Sequence, residues 1–166
     1  MEGIKLVLSL CYAVENQVRY LTKDLDVEDY YWRSEAGSPS IGWTCGHILY
    51  SHDAVVNQSV LGNKPSIPDE YKQLFTIKSP GDFPQELTPD ELFLMFKEVN
   101  SAITETMSSK TNKLLNEQPI SNKGFPPNLA NKNNSKILAF HFSHAFSHAG
   151  QILEIKRLMG KEAWGV

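Results

Sequence analysis

Apolar side chains recur at steps of four and three through the N-terminal stretch: Val7, Cys11, Val14, Val18 and Leu21. That spacing gathers them on one face of an amphipathic helix, and it predicts a first helix from about Ile4 to near Leu25. The lysine and apolar run of IKLVLSLCYAV superficially match an export signal. The periodicity continues past the run, however, and Leu10 stands where a small residue should precede the cysteine. A second helix is predicted after the break at Ser38 and Pro39, running to the stop at Gly62 and Asn63. The third opens on TPDE, where Thr88 is a good N-cap, Pro89 suits the first helical position and Glu91 completes a capping box. Leu92, Phe96, Val99 and Ile103 then mark its buried stripe. The fourth is predicted from Ser135 to Gly160.

No alternating run of β-branched residues is bounded by turn pairs, so strands are not expected. The pattern therefore predicts an all-α protein, a four-helix bundle forming a single domain over residues 1–166. Long loops join helices two and three and helices three and four; both are rich in Pro, Gly and Asn and read as ordered crossings. Crossings of that length permit parallel neighbours. A charged fraction of 21% and a hydrophobic fraction of 41% are ordinary for a globular chain and exclude disorder. With 16 basic against 19 acidic residues there is no polybasic footprint, so no nucleic-acid partner is expected. No stretch is long enough to span a membrane. The two cysteines, Cys11 and Cys45, lack C-x-x-C spacing and suit a reducing compartment, so the cytoplasm is the expected location. Both are read as packing residues.

Three of the five histidines, His141, His144 and His148, fall within HFSHAFSHAG on the fourth helix. At about 100° per residue, His144 and His148 lie about 40° apart, and His141 within about 20° of His148. All three are expected on the inward face, in register with Ile137, Ile152 and Ile155. A lone buried histidine is usually a hydrogen-bonded core residue. Three in register need several partners at once, and a shared cation supplies them. His144 and His148, four apart, can reach one metal; a third ligand must come from another helix, and WTCGHILYSHD offers His47 and His52. These two lie about 140° apart around a helix, so only one can face the seam squarely. Gly46 and Gly150 would allow close approach there. The Glu-x-x-His of di-iron bundles, the His-Glu-x-x-His of zincins and the haem-attachment motif are all absent from the sequence. A mononuclear three-histidine site with an open position fits best.

SIGWTCGH at the start of helix two, the H-x-x-x-H-x-G-Q-I of His144 to Ile152, and the R-x-x-G of Arg157 to Gly160 together resemble the DinB/YfiT-like superfamily of four-helix-bundle metalloenzymes. The resemblance implies His47, His144 and His148 as metal ligands, with His141 beside the ligands or lining the pocket. It implies a homodimer, and an activity akin to bacillithiol S-transferases and mycothiol-dependent isomerases, with a low-molecular-weight thiol cosubstrate and a small-molecule substrate. The chain departs from common members at Ala149, often basic, and at Ser147, often histidine. Three imidazoles suit a divalent metal ion, zinc or nickel first, with iron or copper also compatible. Gln151 is expected to orient a ligand, contact substrate or make an interhelix hydrogen bond; His52, Tyr50 and Asp53 are candidate partners of the ligands, and a solvated helix face explains Tyr50 and Asp53 equally well. Phe140, Phe142 and Phe146 are expected in the bundle core. The alternatives to a thiol transferase are a non-catalytic metal-binding or stress-response bundle and a metal-dependent hydrolase.

Overall fold

The computed structural model describes residues 3–34, 38–122, 125 and 127–162, and every regular element among them is helical. The first is α1 (Gly3–Thr22), whose stripe of Val7, Cys11, Val14, Val18 and Leu21 is buried as the periodicity requires. It stops short of Leu25 because Asp26 opens a separate short helix, α2 (Val27–Tyr31). The Asp26 amide there donates to the Asp29 carboxylate at 2.8 Å, a capping arrangement that starts a new helix rather than extending the old one.

Helix α3 (Ile41–His52) is capped by Ser40, whose hydroxyl accepts from the Trp43 amide. Beyond His52 the winding widens to a π-helix over Asp53–Val60, and the segment ends at Leu61 and Gly62, the latter at φ +75°. Asp53 is buried within this wide turn rather than solvated: its carboxylate accepts from the Asn57 and Gln58 amides and the Ser66 backbone N–H. After the short α4 (Asp69–Lys72) comes α5 (Pro89–Met107), where Thr88 and Glu91 form the expected capping box. The last, α6 (Asn134–Leu158), is capped by Asn133 and followed by Gly160 at φ +75°. Helices α1, α3, α5 and α6 form the bundle, with α3 and α1 each packed against both α5 and α6. No helix among the described residues is long and apolar enough to cross a membrane.

The crossing between α3 and α5 is pinned by aromatic rings seated on glycines. Gly42 and Gly46, four apart on α3, share one face of the helix. A Cβ on Gly42 would lie 2.3 Å from the Phe83 ring, and one on Gly46 would lie 2.1 Å from the Phe75 ring. Both phenylalanines are buried. Only glycine leaves room for them, and full burial of each ring contributes about 1.5–3 kcal/mol. The crossing between α5 and α6, of which positions 123, 124 and 126 lie outside the described residues, is tied down by the Ile120 amide donating to the Ser59 carbonyl at 2.8 Å.

Candidate metal centre

The stretch WTCGH on α3 acts as a unit. The Trp43 indole stacks on the His47 ring one turn later, with centroids 4.9 Å apart and planes within 7°. Its N–H donates to the Leu74 carbonyl at 2.9 Å and the Ser79 hydroxyl at 2.6 Å, fastening the crossing over the helix. Gly46 admits the Phe75 ring, and that same residue's carbonyl accepts from His47 Nδ1 at 2.6 Å. A carbonyl cannot donate, so Nδ1 carries the proton and Nε2 is left as a lone pair. That Nε2 is buried and has no hydrogen-bond partner.

On α6, His148 Nδ1 lies 2.7 Å from the Gln151 side-chain oxygen, and His148 Nε2 lies 3.0 Å from His144 Nε2. With the Gln151 oxygen accepting from Nδ1, His148 takes the same tautomer as His47 and its Nε2 carries the lone pair. The His47 ring meets His144 and His148 edge-on at centroid separations of 5.4 and 4.8 Å. One ring nitrogen from each of His47, His144 and His148 lies within 4.8 Å of the other two, a grouping that could hold a metal ion. Two imidazoles on one tetrahedral ion at 2.0–2.1 Å stand about 3.3 Å apart. The donor set fits that need: two neutral lone pairs oriented by outer hydrogen bonds, a third imidazole beside them and no competing cationic side chain among the three.

Burial favours the neutral form of His47 and His144. Burial pushes His144 down to about 4, with His148 and His47 beside it adding to the effect. His47 is also lowered, chiefly by burial and secondarily by His148, while the Phe75 carbonyl works the other way. Neutral imidazoles are the state that ligates. Next to them lies a cavity of about 340 Å³ lined by His47, His141 and His144 together with mainly apolar residues. None of its described lining residues is charged.

The placement of the α6 histidines differs from expectation. His141 is fully inward, but His144 and His148 are only half-buried, because the centre of the buried face is taken by Ala145, Ala149 and Ile152. The pair sits on the flank of the seam, where a cavity can reach it. Of the three phenylalanines only Phe142 is core; Phe140 and Phe146 are 43% and 37% exposed, being rotated off the seam on either side. Phe140 instead stacks on His144 and lines the cavity. A Cβ on Gly150 would meet nothing within 4 Å, so no close approach explains that glycine.

His52 is brought to a second cluster. Its Nδ1 lies 2.9 Å from His141 Nε2 and its Nε2 lies 3.1 Å from the Asn100 side-chain oxygen on α5. Asn100 in turn donates to Glu15 at 2.7 Å, and Glu15 accepts from Arg19 at 2.9 Å. Both α3 histidines thus meet α6 histidines, at different levels, and His52 is turned toward α5 as well. Tyr50 lines the cavity, whereas Asp53 serves the π-helix. Cys11 and Cys45 are buried and free, and burial pushes the Cys11 thiol up to about 12 and that of Cys45 higher still. The pattern of the sequence did not single out Phe75, Asn100 or Glu15. Asn100 and Glu15 do carry a signal, since each is a polar residue in register with an apolar stripe: Asn100 four after Phe96, Glu15 four after Cys11. A ring-orienting main-chain carbonyl, as at Phe75, carries none.

A family model described as the DinB superfamily matches residues 11–152, from Cys11 within α1 to Ile152 within α6. No curated protein matches the sequence at a significant level.

Proposed function

Because the chain belongs to the DinB superfamily, and because three of its imidazoles form a group that could hold an ion, we propose that it is a divalent-metal-dependent enzyme. His47, His144 and His148 are the proposed ligands, zinc or nickel the proposed ion, and the reaction is transfer of a low-molecular-weight thiol to a small electrophile. The observation that carries this reading is the His47 Nε2 lone pair, buried and unpartnered beside a cavity of about 340 Å³. An orphaned buried acceptor costs about 1–3 kcal/mol unless something occupies it.

When bound, a divalent cation with an open position lowers the pKa of a thiol or water and polarises a substrate oxygen. The chain's own residues supply the rest. Phe75 and Gln151 hold the His47 and His148 rings with their Nε2 lone pairs available. Trp43 and Phe140 stack on His47 and His144 and restrain them further. Ala54, Val55, Ile77, Leu129 and Ile137 give the cavity an apolar wall, which suits a neutral electrophile. Neither protein thiol can attack, since both are buried and held protonated. The cosubstrate sulfur therefore forms the new carbon–sulfur bond, its proton passing to solvent and the leaving group departing with the bonding pair. We further propose a single domain, a cytoplasmic location and a homodimer.

Cobalt-substituted protein tests the chemistry. A thiol panel of bacillithiol, glutathione, coenzyme A and 2-mercaptoethanol should include a member that induces a sulfur-to-metal charge-transfer band and reacts faster with a chloro-dinitrobenzene. That gain should vanish in His148→Ala. If no thiol perturbs the spectrum, thiol transfer is refuted and metal-assisted hydrolysis takes its place.

A further inference from the structure

The chain of hydrogen bonds behind the cavity can be assigned proton by proton. Glu15 can only accept, so the Asn100 group 2.7 Å from it is the NH₂ and the opposite edge of Asn100 is the carbonyl oxygen. That oxygen can only accept, so the His52 Nε2 facing it at 3.1 Å carries a hydrogen. A neutral His52 then presents a lone pair at Nδ1, and the His141 Nε2 lying 2.9 Å away must donate to it. Burial favours the neutral form for both rings. One polar atom is left over at the end of the sequence of donors: His141 Nδ1, a lone pair, buried and without a partner. His141 lines the same cavity as His47 and His144.

We propose that His141 Nδ1 is a hydrogen-bond acceptor that selects the ligand of this cavity, which is a compact, largely apolar and uncharged molecule bearing an O–H or N–H donor. The apolar character follows from a wall that includes Ala54, Val55, Ile77, Leu129 and Ile137, and the lack of charge from a described lining with no charged side chain. The donor follows from the direction of the chain. Glu15 anchors one end, Asn100 and His52 pass its orientation on, and His141 is thereby denied the tautomer that would put a proton on Nδ1. A site built to accept a hydrogen bond discriminates strongly against a ligand lacking the donor, because the buried acceptor is then left unpaired. His141 is a positioning and specificity residue here, and it need not change protonation. The inference deepens the proposed function in taking the cavity as the substrate's seat, but it does not require the cation.

A matched pair of probes tests it. 2-Naphthol and 2-methoxynaphthalene share one apolar body, and only the first has a donor. Binding to the full-length protein as isolated is followed by fluorescence titration, with metal content measured on the same sample so that an empty metal site is recognised separately. The naphthol should bind at least tenfold more tightly than the ether, and His141→Phe should erase the difference. In ¹⁵N-histidine-labelled wild type, the unprotonated His141 nitrogen should shift upfield with the naphthol and stay put with the ether. That signal serves even if the variant folds poorly. Equal affinities, no binding of either probe, a preference that survives His141→Phe, or a His141 resonance unmoved at saturating naphthol would each overturn the proposal.

Discussion

Gly46→Ala puts a methyl group into a contact that links the α3–α5 crossing to the candidate ligand His47. The new Cβ would sit 2.1, 2.3 and 2.4 Å from three carbons of the Phe75 ring, all closer than side-chain carbons are found in proteins. Phe75 is fully buried, so its ring cannot swing into solvent without giving up its core contacts. Overpacking of this kind costs about 1–3 kcal/mol, while replacing a mid-helix glycine by alanine favours the helix by about 1 kcal/mol. The expected net loss is about 2 kcal/mol, near the upper end because the ring is enclosed, which lowers Tm by about 6 °C for a chain of this length. Gly150→Ala is the internal control: it sits in α6 with nothing within 4 Å, so it keeps the propensity gain alone and should raise Tm by about 3 °C. Both are compared in the presence of a chelator, which removes stabilisation by bound metal. Displacing Phe75 also draws its carbonyl away from His47 Nδ1, 2.6 Å distant, and a competitive metal titration should show affinity weakened about 10–100-fold. If Gly46→Ala melts at or above the wild-type temperature, in step with Gly150→Ala, the account of the WTCGH unit is wrong.

Acid should destabilise the fold through the buried histidines. His52 is held down to about 4 from an ordinary 6.5, chiefly by burial, and a group depressed in this way stabilises the native state fully above its unfolded pKa. Its contribution of about 3 kcal/mol is lost as pH falls from about 6.5 toward 4; urea denaturation across that range should show the decline, and a flat profile would refute the buried chain of Glu15, Asn100, His52 and His141. Cys11 and Cys45 should resist iodoacetamide in the native protein at pH 8 and both react after denaturation, as followed by mass spectrometry, because burial keeps them protonated and covered. Rapid native labelling of either would reopen a protein thiol as nucleophile.

The helices were legible where one face decides them. The stripe from Val7 to Leu21, the Thr88–Glu91 capping box and the glycine stop at Gly160 all express local rules, and the structure follows them. What the local rules miss are interactions carried by the crossings. Nothing in the sequence signals that the Phe75 carbonyl will orient His47, since every residue has a carbonyl and only tertiary packing selects one. Helical phase alone also misplaces the centre of the buried face on α6. Histidines and phenylalanines are large and draw attention, yet the seam centre is held by the small Ala145 and Ala149, leaving His144 and His148 on its edge. The two histidines of α3 illustrate the same limit. A 140° separation is a statement about one partner helix, whereas α3 packs against both α5 and α6, so His47 and His52 can each be buried with a different purpose.

The central claim is a single cation held by His47, His144 and His148, and elemental analysis of tag-free protein, before and after dialysis against zinc, addresses it most directly. Wild type and His52→Ala should each carry about one equivalent of divalent metal per chain, and His47→Ala, His144→Ala and His148→Ala almost none, because a two-imidazole remnant holds a metal poorly. Folded wild-type protein that takes up no zinc, or metal retained undiminished by His47→Ala but lost by His52→Ala, would contradict the account.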